Sequence, residues 1–253
     1  MFMGFDRLRI KSNARLFYKN NTGMSIVMPL IHTLISGAAG VVIYIISVIM
    51  GIIGSAAAGN SDGAIFFVLL IYPLIFAFSF AVAPLMWGLM SWFRKTIYVQ
   101  TPLTEMFAPY GNGRFWSSVG TAALISLYTW LWSLLFVIPG IIKTYSYSQT
   151  MFIKTENPNI PASRAIQLSM AMMEGHKWEL FILHCSFLGW FLLSGLTYNI
   201  LGIVYVFPYY YAALAFAYEE IKADAAARGV INIAEIMGDV YPTMPEQPGM
   251  GQF

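Results

Sequence analysis

The charged residues of this chain are gathered into clusters, and the gaps between them restrict its fold more than any motif does. No Asp, Glu, Lys or Arg occurs at positions 20–61, 63–93, 115–142 or 180–218. A helix needs roughly 20 apolar residues, at about 1.5 Å each, to cross a hydrocarbon core about 30 Å thick. Every neutral run is long enough. The second and third each fit one crossing, and the first reads as one span near 26–52 followed by a small-residue turn at 54–63 (GSAAAGNSDG). The last run has 39 residues, too many for a single crossing. The breakers in 195–202 (GLTYNILG) predict that it folds back, with spans near 178–196 and 201–218.

Composition closes off the alternatives. Of 253 residues, 58% are apolar and 10% charged, where a soluble domain carries about 25% charged residues. That balance excludes a water-soluble globule. One cysteine, Cys185, cannot support a disulfide scaffold, and a net charge of +2 gives no general attraction to nucleic acid. The expected partner is the lipid bilayer.

The segment 141–156 (IIKTYSYSQTMFIKTE) is short and contains Lys143, so its crossing must be decided by charge placement. Short cytoplasmic loops are enriched in Lys and Arg. Five of the 14 basic residues lie in the N-terminal segment, three in 94–114, three in 154–177 and two near the C-terminus. A crossing at 141–153 puts all of these on one side. It leaves Lys143 near the outer end of its helix, where the ammonium reaches the interface. The pattern therefore predicts an all-α polytopic bundle of about six spans with both termini cytoplasmic, the short fourth span being either crossing or re-entrant. Its parts are a basic segment at 1–22, the bundle at 23–228 and a flexible tail at 229–253. The tail holds Met237, Met244 and Met250 among prolines and glycines.

Aromatic residues fit this layout: Trp92, Trp116 and Trp178 fall at inner ends and Trp130 and Trp132 near an outer end, where indoles anchor at the interface. The apolar stretch after Arg7, Arg9, Lys11, Arg15 and Lys19 is about twice as long as a cleavable signal core, so it reads as an uncleaved anchor. Phe5, Leu8, Leu16 and these basic residues suggest an interfacial helix. A second amphipathic helix, between spans four and five, is predicted from Pro161 to Gly175. It has Ala162, Ala165, Ile166, Ser169, Met170 and Met173 on one face and Arg164, Gln167 and Glu174 on the other. It reads as a connector across the inner helix ends or as a partner surface.

The runs IPGIIKTYSYS, ENPNIPASRAIQLSMAMMEGHKWELF, SFLGWFLL and VFPYY closely resemble the bacterial integral membrane proteins grouped as domain-of-unknown-function family 975. They more distantly resemble the membrane domains found beside some glycerophosphodiester phosphodiesterases. The resemblance is strong over about a third of the chain and weak around Ala14-Arg15-Leu16. It implies a multi-span helical membrane protein and brings no catalytic residues and no cofactor.

The polar residues offer few routes to chemistry. His176 and Glu179 stand at i and i+3 on one helical face, the reverse of the Glu-x-x-His order of helical di-iron sites, and the neutral spans lack the further carboxylates such a site needs. A polar pair at the membrane entrance accounts for them, and no metal is assigned. His184 lies within the fifth span beside Cys185 and reads as a proton relay or, more simply, as a neutral histidine bonded to its helix backbone. Glu219-Glu220 is similar to the Glu-Glu-x-x-x-Arg signature of intramembrane prenyl-protein-type proteases, but Asp224 occupies the Arg position; a cytoplasmic helix extension with Glu219 and Lys222 paired at i and i+3 suffices. No enzymatic activity is expected. Pro29, Pro73, Pro84 and Pro208 can interrupt spans, and Lys143, Tyr145 and Tyr147 form a polar row in the fourth. Broken helices and polar rows line transporter paths, while prolines and interfacial lysines are also ordinary in bundles. The expected function is an accessory or scaffold protein binding membrane proteins or lipids. The alternative is a small transporter or exporter component for an amphipathic peptide or lipid.

Overall fold

The computed structural model describes residues 5–58, 61–111 and 113–237. Among these residues the chain is helical, with no strand. Helix α1 (Arg7–Asn20) is capped by Asp6, whose carboxylate accepts from the Leu8 and Arg9 amides. It leads into α2 (Thr22–Ala58) and α3 (Ser61–Thr96). A 3₁₀ segment (Leu103–Tyr110) precedes α4 (Arg114–Leu135), α5 (Val137–Tyr147) and α6 (Thr150–Glu156). Then follow α7 (Ala162–Met172), α8 (Lys177–Cys185) and α9 (Leu188–Leu196). A π turn (Gly202–Val206) enters α10 (Phe207–Ala227), and α11 (Ile233–Met237) closes the described chain.

Three stretches among the described residues are long and apolar enough to cross a membrane: Thr22–Ala56, Arg114–Leu135 and Lys177–Leu196. This is the architecture of a membrane protein. Its burial is split into two layers. At one end, α1, the C-terminal part of α3, the 3₁₀ segment, α6, α7 and the C-terminal half of α10 enclose a core that includes Ile10, Phe17, Trp92, Phe93, Met106, Ile153, Leu168 and Tyr218. Beyond this base, large apolar side chains stand exposed along α2 (Val41, Tyr44, Ile52), around the α4–α5 junction (Trp130, Leu134, Ile138) and on α9 (Leu192, Leu196). In water that pattern would be unstable; in hydrocarbon it costs nothing.

Several local features differ from the sequence expectations, for physical reasons. The turn expected at 54–63 is narrower, because α2 continues to Ala58 and α3 starts at Ser61; residues 59 and 60 lie outside the described residues. The break that precedes the segment 141–156 falls at Phe136, which is extended (φ −161°, ψ 149°). Pro139 then sits in the first turn of α5, where an amide would have no intrahelical partner anyway. Trp92 is not an interfacial anchor: it is 1% exposed and its indole N–H donates to the Thr101 carbonyl at 3.0 Å. Trp116 and Trp178 are exposed, as are Trp130 and Trp132. The fold-back of the last neutral run falls at Tyr198 and Asn199, both at positive φ (49° and 69°).

Helices α1 and α7 both turn apolar side chains into the protein. Ile10, Ala14 and Phe17 of α1 are buried as it packs on α10, while Leu8 and Leu16 remain exposed. On α7, Ala165, Ile166, Leu168, Ser169 and Met172 are buried against α4, α5, α6 and α10, and Gly175 ends the segment at φ 89°. Residues 229–237, assigned to the tail, are packed in part: Ile231 and Ile236 are buried, and Arg164 holds Glu235 through Nε and Nη2 at 2.6 and 2.9 Å. Residues 238–253, with Met244 and Met250, lie outside the described residues, as do residues 1–4.

Candidate functional site

The base is built around charges that flank the neutral runs. Arg94, the first charge after the second run, lies at the end of α3 and is 2% exposed. Its Nη1 is 3.2 Å from Glu156 Oε1, at the end of α6, and 3.7 Å from Glu219 Oε1 on α10. Lys222 Nζ joins the same two carboxylates, at 2.8 Å from Glu156 and 2.7 Å from Glu219. Two cations and two anions thus form a neutral, buried quartet that ties α3, α6 and α10 together. Phe152 stacks on Tyr218 at 4.7 Å, and Lys222 lies over the Tyr218 ring at 5.0 Å, so an aromatic wall closes one side.

Isolated buried charges are expensive, and pairing recovers the cost only when every partner is present. Burial pushes the Glu156 carboxyl up, but Arg94 and Lys222 outweigh it and hold the group below the ordinary carboxylate range. For Arg94, burial pulls the guanidinium down, while Glu156 and Glu219 carry it above its usual value. Arg94 and Glu156 therefore keep their charges at neutral pH.

A second cluster adjoins it. His176, just before α8, has its Nδ1 2.7 Å from Glu179 Oε2 and its Nε2 2.8 Å from Asp224 Oδ2. Arg228 Nε lies 2.6 Å from the same Asp224 oxygen. The i, i+3 pair of His176 and Glu179 is thus in contact, and Asp224 is the partner that spacing alone does not reveal. Among the described residues, no three of His, Cys, Asp and Glu are grouped so as to hold a metal ion.

The remaining sequence candidates lie away from the base. Lys143 Nζ stands 4.6 Å from the centre of the Trp132 ring across the α4–α5 junction, a cation–π contact. Tyr147 is buried with its ring 6.3 Å from that of Tyr128. Tyr145 meets His184 edge-on at 5.5 Å, and His184 also faces Tyr210 at 5.7 Å. His184 Nδ1 is 2.7 Å from the Leu180 carbonyl one turn back, the backbone bond of a helical histidine. Tyr145 and His184 thus lie where α5, α8 and α10 meet, Lys143 and Tyr147 face α4, and the partners of all four differ from those of His176 and Glu179. The Glu219–Lys222 pair expected at i and i+3 is formed, at 2.7 Å, while the sequence gives no sign that Arg94 and Glu156 join it or that Asp224 joins His176. The usable signal was position: Arg94 and Glu219 each border a neutral run.

Residues 121–225 match the family model described as Protein of unknown function (DUF975). Over this segment the chain is similar to DUF975 proteins. No curated protein and no solved structure matches it. The DUF975 segment contains Glu156, His176, Glu179, Glu219, Lys222 and Asp224, whereas Arg94 and Arg228 lie outside it.

Proposed function

We propose that this protein is a multi-pass protein of the bacterial plasma membrane, acting as an accessory or scaffold that binds other membrane proteins or lipids. It crosses six times, with both termini cytoplasmic and α7 serving as the connector across the inner helix ends. The carrying observation is the separation of layers: a base whose buried Arg94–Glu156–Glu219–Lys222 quartet is balanced from within, under helices whose apolar faces are bare. Such a base fixes the helix ends without a ligand and leaves the upper faces to lipid tails and partner helices.

The six-crossing count is supported by the return of each hairpin to the base. Residues 137–156 span about 30 Å at helical rise, a length like that of α4, and Lys154 bonds Ser117 near the start of α4 at 2.7 Å. A full crossing fits this better than a re-entrant loop. Pairs at Arg94–Glu156, His176–Asp224 and Arg9–Glu220 bring the ends of the other segments to the same level. The positive-inside rule makes that level cytoplasmic.

The test is solvent access. Cysteines at Lys143, Tyr147 and His184, each in a Cys185→Ser background, should resist a membrane-impermeant thiol reagent at positions 147 and 184 and react only at 143. Rapid labelling at 147 and 184 would overturn the scaffold reading in favour of a transport path.

A further inference from the structure

We propose that the cleft between the 3₁₀ segment, the start of α4 and the end of α6 binds a phosphate group, either the headgroup phosphate of an anionic phospholipid or free phosphate. The lipid source rests on the membrane reading above; the phosphate chemistry does not. The cleft is lined by Trp87 and Ser91 of α3, Glu105, Arg114, Ser117 and Ser118, with Lys154 in its wall. Its free volume is about 30 Å³, room for a small oxyanion and far too little for an acyl chain or a peptide.

Lys154 is the unusual element. It is 4% exposed, and its Nζ donates to Ser117 Oγ and to the Pro158 and Ile160 carbonyls, each at 2.7 Å. Among the described residues no carboxylate lies within ion-pair distance of it. The other deeply buried cations, Arg94 and Lys222, both have acids. Burial pulls the Lys154 ammonium down from its ordinary value, which is the signature of a charge lacking its counter-ion. Three neutral acceptors take all three of its N–H groups without neutralising it, so an anion in the cleft would feel a poorly solvated positive charge from behind the Ser117 hydroxyl rather than accept a bond from Nζ itself.

Other groups act in the same direction. Arg114, exposed at the mouth, is also without an acidic partner among the described residues. Gly113 precedes α4 with no side chain to cap it, so the positive end of that 22-residue helix stands beside Arg114. Ser117 and Ser118 add hydroxyls. Glu105 is the one acid in the lining, and its Oε1 is already taken by Ser91 Oγ and Lys95 Nζ, both at 2.8 Å. The cleft keeps a net positive charge. Trp116, 76% exposed one turn into α4, is suited to the headgroup level at which such a phosphate would arrive.

The experiment uses the full chain in a neutral detergent, with unfolding temperature and native mass spectrometry as readouts. Three probes are compared: inorganic phosphate, dioleoyl-phosphatidylglycerol and dioleoyl-phosphatidylcholine. The proposal expects phosphatidylglycerol or inorganic phosphate to raise the unfolding temperature saturably, with one lipid retained if the lipid is the source. Phosphatidylcholine should act at least tenfold more weakly. Because Lys154→Gln also removes three structural hydrogen bonds, Arg114→Gln carries the test and should weaken the response about tenfold, the value of one charged hydrogen bond. Lys19→Gln, an exposed basic residue elsewhere, should leave it unchanged. A response to inorganic phosphate alone assigns free phosphate, and one to phosphatidylglycerol alone assigns the lipid. No response to either, or equal weakening by Arg114→Gln and Lys19→Gln, overturns the proposal. None of these outcomes bears on thiol protection at Tyr147 and His184, which separately tests the scaffold reading.

Discussion

Ser169 supplies to the fourth hydrophobic segment what an unbroken helix would supply to itself. The break between α5 and α6 interrupts the intrahelical ladder at the Ser146 carbonyl and the Gln149 amide. Ser169 Oγ donates to the first at 2.8 Å and accepts from the second at 3.1 Å. All three residues are buried, so Ser169→Ala would strand two backbone groups at once. It should cost about 1–3 kcal/mol, read as a lower unfolding temperature in detergent with the helical signal intact. Glu156 is a harsher case, because two buried cations share its Oε1. Glu156→Gln should destabilise by about 3–5 kcal/mol. An Arg94→Met/Glu156→Met pair, which leaves Lys222 with Glu219, should cost less than either single change in the same unfolding assay. A double variant worse than both singles would mean that the quartet acts through something other than charge balance.

At the level of the element, the hairpin of α4 with α5 and α6 fixes the side on which all later segments emerge. A reporter fused after Asn157 should read as cytoplasmic, and an external signal would invert every segment that follows. Some of this was legible from sequence because it rests on local rules. The long last run had to fold back, and it does so where Tyr198 and Asn199 take positive φ. The fourth segment was harder: Pro139 looks like a breaker but is harmless in a first helical turn, so the true break at Phe136 carries no residue signal. Trp92 shows the same limit, since nothing local tells an interfacial indole from one whose N–H finds Thr101 in a packed base. For the N-terminal helix, the sequence points to Phe5, Leu8, Leu16 and the basic residues, yet Leu8 and Leu16 stand exposed. Its other face, Ile10, Ala14 and Phe17, is what docks it on α10. Phe17→Ala should loosen that contact by about 3 kcal/mol, seen as faster hydrogen exchange across α1 with the spans unchanged.

For the whole molecule, the division into a charged, packed end and a bare apolar end follows directly from charge clustering, because lipid accepts apolar surface and rejects unpaired charge. Which charges meet is a tertiary matter: Arg94, Glu156 and Glu219 lie far apart in sequence, and no spacing rule joins them. Their meeting has a pH signature. Glu156 is held below the ordinary glutamate value of about 4.3, so the folded state binds its proton less readily than the unfolded chain does. The stability it contributes is complete above that ordinary value and drains away as the pH falls through its depressed one. Glu220, raised chiefly by burial despite Arg9 at 2.9 Å, works in the opposite sense: its carboxylate weakens the fold as the pH rises through its elevated value. Acidification from neutrality should therefore first relieve Glu220 and then break the quartet, giving an unfolding temperature that is flat or slightly rising toward pH 5 and falls steeply below pH about 4. Glu156→Gln should lower the whole curve and flatten the acid limb, while Glu220→Gln should remove the shallow rise and leave that limb in place. An unaltered acid limb in Glu156→Gln would remove the quartet as the origin of acid sensitivity.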